Sequence, residues 1–497
     1  MTNTADSGAS SLRQAILNAN ANPGLDLINF AIPGAGTHTI APLTPLPFVT
    51  DPVILDGTTQ PGYAGSPLID LFGGGGGTPV PYGLVVTAGG TLVQGLAVGG
   101  FSIDGVLLAQ NGGDVIAADY VGTDPTGKAA VPNGFGVVVA GGGADQAGGN
   151  VLSGNTYYGL TLNNTSGDVA ANNTVGANAA GTADVGDTNG LFFDSGANGN
   201  SVVDNVLSGC EFGVDLTGGA GNVLQGNFIG TNAAGTAALE NSDGVNITSP
   251  AGGNTVGGTT AAARNVISGN LGDGVTFFGA GGNVIEGNFI GTQANGTSPL
   301  ANGQQGVDLT EGAANNTVGG AAAGAGNVIA FNGSDGVLVG TNVPNTPPAD
   351  PSQAGAGNAV LGNSIFGNGL IGIDLGDKDG VTANDSLGHA GPNDYQNFPA
   401  LSLAVASGNS VLVTGTLSST ANTGFRIELF ADPKADPSGH GQGQTFLGFV
   451  TAATDGNGHA TFAAVLADPL AAGQAVSATA TDSAGDTSEF SADVTAH

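Results

Sequence analysis

The chain has 497 residues, 92 of them glycine and only 9% charged, with six Lys and Arg against 39 Asp and Glu for a formal net charge of −33. Six scattered cations build no basic patch, which excludes a nucleic-acid partner, and an anionic membrane or polyanion is repelled unless cations bridge the contact. No stretch of about 18 apolar residues is present, so no membrane insertion is expected, and the single Cys210 rules out an internal disulfide or a Cys-based metal site. So much glycine would suit disorder. Apolar residues nevertheless make up 40% and recur periodically, so the glycines read as turn positions in a repeat.

In chain order, the first predicted element is a helix over residues 10–20. Leu12, Ala15, Ile16 and Ala19 form an apolar stripe, and Ser10 or Ser11 is the N-cap. Short strands follow around 27–32, 53–55 and 68–72. From Gly83 to Gly372 a glycine is followed by an aliphatic residue and a short strand, at intervals of roughly 22 to 36 residues. The residue after each glycine (Leu84, Val137, Val245, Ile373) and the residue two further on (Val86, Val139, Ile247, Leu375) are apolar throughout. That period of two describes strands with one buried face, and the intervals hold no helix of crossover length, so successive coils stack their strands in parallel. A larger repeat carries Asn-Val-Leu/Ile-Ser-Gly at 150, 205 and 265, and its asparagines are expected to form side-chain ladders. Cys210 falls where sibling coils have Asn155 and Asn270 and reads as a small turn filler. Arg264 reads as a corner hydrogen-bonder.

After about residue 395 the pattern changes to seven short strands, at 400–406, 410–417, 425–430, 445–451, 460–466, 475–480 and 488–494, which suit an Ig-like sandwich. The fold class is therefore all-β. It is a right-handed parallel β-helix solenoid with an N-terminal capping helix and a C-terminal Ig-like β-sandwich, divided as cap 1–75, coils 76–395 and sandwich 396–497.

The opening Thr2-Asn-Thr-Ala-Asp-Ser-Gly-Ala-Ser-Ser-Leu-Arg-Gln-Ala-Ile16 resembles the CSLREA module that begins many bacterial cell-surface β-helix proteins. The stretch from Ile54 to Tyr63 and the Asn-Val-Ile-Ser-Gly-Asn repeats are similar to that group as well. Ser10 stands where the module's name has Cys. The closing residues 479–490 resemble the last strands of bacterial Ig-like modules, which serve as stalks or spacers. The resemblance implies export and a secreted or cell-surface setting. No basic n-region or apolar h-region opens this chain, so the export signal is expected to be absent from this stretch.

Two groups are candidate cation ligands. The junction with Asp374, Asp377, Asp379, Asn384 and Asp385 offers hard oxygen donors on a glycine-containing loop, as Ca²⁺ requires. Asp243 and Asp273 precede strand glycines in neighbouring coils, where two carboxylates repel unless a cation or proton is shared. The alternative for each is an ordinary acidic turn. The outward position between the two apolar columns carries Asp215, Asn246 and Asp308, the candidate ligand-binding residues, with Phe192 and Phe278 as outward rings able to stack on sugars. Bases are few (Lys128, Arg264, Lys378, His389), and no catalytic constellation is recognisable. The expectation is a non-catalytic extracellular structural or adhesive protein with an acidic surface, binding a glycan or a surface protein or assembling with itself. The alternative is a polysaccharide-active β-helix enzyme: a lyase, glycoside hydrolase or epimerase.

Overall fold

The structure is a computed structural model that describes residues 1–77, 79–341, 353–376, 380–385, 391–467 and 470–497. It divides into two compact units, residues 1–245 and 246–497.

The first unit opens with helix α1, Leu12–Asn20, capped by Ser11, whose side chain accepts from the Gln14 N–H. Leu12, Ile16 and Ala19 are its buried residues, and α1 contacts the first strand, Asp26–Asn29. The rest of the unit is a right-handed β-helix in which each coil contributes strands to three parallel stacks. Like side chains pile up on like. In the third stack Val106, Val137, Leu160, Leu191 and Val214 follow one another in register, none more than 1% exposed. Burying such aliphatic columns supplies the main driving force, about 1.5–3 kcal/mol for each side chain. Glycine is required at the corners. Gly176 has φ +76, and a Cβ there would run into the Ser208 carbonyl and the Cys210 sulfur.

The corners carry the expected ladders. In the first unit Leu96 N–H donates to Asp119 Oδ1, Asp119 N–H to Asn150, Asn150 to Asn173, Asn173 to Asn205 and Asn205 to Asn227. Each rung thus satisfies a buried backbone donor of the coil before it, which an irregular corner otherwise leaves unpaired. Cys210 occupies a rung of another corner, its N–H donating to Asn241 Oδ1. The thiol is buried and pushed well above its ordinary pKa by that burial and by Asp187.

The second unit continues the same design in its own coils. Ile267, Ile290, Ile329 and Ile365 stack in one column, and Asn254, Asn283, Asn316, Asn358 and Asn393 form one ladder. Arg264 donates to the Gly287 carbonyl and lies 4.1 Å above the Phe289 ring, a corner role as expected.

The unit ends in two antiparallel sheets that fit an Ig-like sandwich. One holds Ala400–Ser407, Ser410–Ser418 and His459–Leu466. The other holds Gly424–Asp432, Thr445–Ala453, Ala475–Thr481 and Val494–Thr495. The seventh strand is shorter than the sequence suggests. Ser488, Glu489 and Ser491, expected to lie in a strand, are buried polar residues of an irregular stretch. Part of that stretch covers the last coil of its unit: Glu489 accepts from the N–H groups of Leu375 and Thr382. Gln442 accepts from Asn368, Glu428 from Gly362 and Asp486 from Gly357. The sandwich therefore closes the open edge that a solenoid must cover.

Candidate functional site: the aromatic and acidic face of the third stack

Along the third stack of the first unit, the residue before each strand glycine projects outward. Phe135, Tyr158, Asn189 and Phe212 hold this place in successive coils, and Val138, Thr161, Phe192 and Asp215 hold the next outward place. The following glycine keeps the backbone tight. A Cβ on Gly159 would strike Val175 and the Leu152 carbonyl. Outward rings at this spacing meet. Tyr158 stacks on Phe192 with centroids 4.5 Å apart and planes at 15°, and on Phe135 at 5.6 Å and 24°. Tyr157 leans on Phe135 at 5.2 Å and is half exposed.

Carboxylates border this ladder. Burial, followed by the charge of Asp215, raises the Tyr158 phenol above its ordinary pKa of 10. A hydrogen bond with Asn189 opposes the shift, and Asp194 and Glu211 add to it. At neutral pH Tyr158 is therefore a protonated phenol, hydrogen-bonded with Asn189 and lying in the field of three carboxylates. Of the six Lys and Arg in the chain, only Arg13 and Lys128 fall in the first unit. Arg13 is held by Asp6 and the carbonyls of Thr44 and Pro45.

Of the residues singled out from the sequence, Asp215 and Phe192 belong to this face. Asn246 and Asp308 belong to the second unit. Asn246 donates to Thr248 Oγ1 at 3.2 Å, and Asp308 pairs in register between Thr276 and Leu338. Asp243 lies in the strand Asp243–Thr248. Asp273 accepts from Gln305 N–H and Thr276 Oγ1. Asp374 is fully buried and accepts from Gly380 N–H. Asn384 exchanges two hydrogen bonds with the backbone of Phe398, and the backbone of Asp385 is clasped by Asn397. Asp377, Lys378, Asp379 and His389 lie outside the described residues. Among the described residues no three His, Cys, Asp or Glu side chains are grouped to hold a metal ion.

Phe135, Tyr157, Tyr158 and Asn189 are absent from the sequence-based candidates. The signal for Phe135, Tyr158 and Asn189 was an aromatic or amide residue directly before Gly136, Gly159 and Gly190, with Tyr157 one place further back. A rival site is a polar cleft of about 660 Å³ in the second unit, lined by Asp385, Tyr395, Asn397, His459, Asp482 and Asp486. Two of its carboxylates serve local structure. Asp482 Oδ1 takes the N–H groups of Ala484, Gly485 and Asp486, and Asp486 takes that of Gly357.

No protein-family model matches the sequence, and comparison with curated proteins finds no relative. Among solved structures, the chain is similar to the A-module of mannuronan C-5 epimerase AlgE4 from Azotobacter vinelandii. The two are 15% identical over 77% of this chain and 98% of that one, with a TM-score of 0.39. It is also similar to the enzymatically active domain of bacteriophage CBA120 tailspike protein 2, at 10% identity over 95% and 71%, TM-score 0.36. A double mutant of the periplasmic alginate epimerase AlgG matches at 14% over 68% and 73%, TM-score 0.33. The expectation of a non-catalytic structural or adhesive protein is corrected here, because the similar structures are described as enzymes. At these scores the likeness is one of architecture, and the reading of function rests on the face itself.

Proposed function

We propose that this chain is a polysaccharide-active β-helix protein, secreted or held at a cell surface, that takes a neutral glycan on the outer face of the third stack. The observation that carries the reading is the Tyr158–Phe192 stack with Asp194, Glu211 and Asp215 beside it. Rings offer apolar surface to sugar faces, and carboxylates accept hydrogen bonds from hydroxyl groups. Acid–base cleavage of a glycosidic bond needs a proton donor and a carboxylate on either side of it, and Tyr158 with a neighbouring carboxylate supplies those types. Charge selects the substrate class. A uronic-acid polymer meets three like charges here, while a neutral polymer meets none of that repulsion. The opening residues similar to the CSLREA module agree with export. Ca²⁺ at the 374–385 junction belongs to the same proposal, and its test is a melting temperature that rises with Ca²⁺ and falls with EDTA.

The deciding experiment is a screen of neutral and acidic polysaccharides for binding and cleavage. The proposal expects turnover or binding of a neutral polymer. It also expects Asp215→Asn to lower turnover by about 10²-fold or more, the usual scale for a lost acid–base group. A protein that ignores every neutral glycan, or an Asp215→Asn variant as active as wild type, contradicts it.

A further inference from the structure

The corner beneath the aromatic face departs from its siblings at one residue. In this ladder each asparagine amide donates Nδ2 to a strand carbonyl: Asn133 to Val98, Asn155 to Val121 and Asn241 to Leu207. Asp187 holds the rung after Asn155. Its Oδ1 accepts the Asn155 N–H at 2.6 Å, and its Oδ2 is buried with no hydrogen-bond partner. Because Val121 pairs with Leu152 in the next coil, register sets the Leu152 carbonyl where a sibling Nδ2 would donate. A carboxylate has no proton to give that carbonyl, and a carboxylic acid has one.

We propose that Asp187 is kept as a neutral carboxylic acid whose proton goes to the Leu152 carbonyl, and that this rung positions the corner from which Tyr157 and Tyr158 project. Asp187 is then a positioning residue that makes the aromatic face sensitive to alkali. Its link to ligand binding rests on the glycan reading above. The groups that face it supply no cation: the Asn155 amide on the preceding rung, the Gly176 backbone N–H, the Cys210 thiol on the following rung, and Asp184, whose charge is of like sign. Burial first, and Asp184 after it, push the carboxyl well above its ordinary pKa against the pull of the Asn155 and Gly176 hydrogen bonds. With the folded pKa above the unfolded one, the contribution to stability is complete below the ordinary carboxylate range. It is lost as pH rises through the folded value.

The test is amide hydrogen exchange of residues 153–163 in the full chain between about pH 6 and 10, corrected for the intrinsic pH dependence of exchange, for wild type and Asp187→Asn. Wild type is expected to lose protection with rising pH, by up to about tenfold for each unit below the folded pKa, and to level off once pH has passed it. Asp187→Asn restores the sibling rung and is expected to stay flat. A flat wild-type profile, or equal slopes in the two proteins, overturns the proposal. Asp119→Asn, at a different corner, is expected to leave this segment's slope unchanged, and a change as large as that of Asp187→Asn overturns the assignment to Asp187. If Asp187→Asn does not fold, the wild-type and Asp119→Asn profiles still decide. Neutral-glycan affinity is measured alongside. Absence of binding at every pH sinks the glycan reading and leaves the exchange result to judge Asp187.

Discussion

A rung asparagine at a coil corner serves two neighbours at once. Asn288 Oδ1 accepts the Asn265 N–H, and its Nδ2 donates to the Val256 carbonyl. Asn288→Ala leaves the buried Asn265 N–H unpaired and takes one hydrogen bond from the Val256 carbonyl, at about 1–3 kcal/mol. Chemical denaturation should show the loss, and a variant as stable as wild type would contradict the role. Aspartate in the same place behaves differently. Asp119 accepts from Leu96 N–H, its Oδ2 is buried without a partner, and burial pushes its pKa up to about 8. Its stabilising contribution is complete below the ordinary carboxylate range near pH 4 and erodes as pH rises toward 8. Asp119→Asn should therefore gain melting temperature over wild type progressively across that window and hold the gain above it. A difference independent of pH would contradict this.

At the scale of elements, the last coil depends on side chains far away in sequence. Gln442 accepts from Asn368 N–H and donates to the carbonyls of Asn368 and Leu370. Gln442→Ala should cost about 1–3 kcal/mol and speed amide exchange at Asn368, read by mass spectrometry. Unchanged exchange there would show that the sandwich does not hold the edge. Much of this architecture was legible. The apolar columns, α1 with its Ser11 cap, the asparagine rungs and most of the sandwich strands follow from periods of 2 and 3.6 and from turn residues. The capping contacts were not legible, because Gln442 and Asp486 lie 74 and 129 residues from their partners and no local pattern marks them. The aromatic ladder was legible only in part: the glycine columns set Tyr158 and Phe192 in successive coils, but the two stand at different outward places and their rings meet through side-chain direction, which the pattern does not give.

For the molecule as a whole, charge governs which polymers can approach. A formal charge of −33 with only two Lys and Arg in the first unit turns away anionic polymers at low ionic strength and does so less as salt screens the field. Neutral-glycan binding should accordingly change little with salt, a contrast that calorimetry at low and high ionic strength reads directly. The face at Phe135, Tyr158 and Phe192 is the claim on which function turns. Amide exchange with and without a bound neutral oligosaccharide tests it most directly. Protection should appear in the strands Phe135–Ala140, Tyr158–Asn163 and Asn189–Phe193. Protection confined instead to the cleft around His459 and Asp482 would contradict the account.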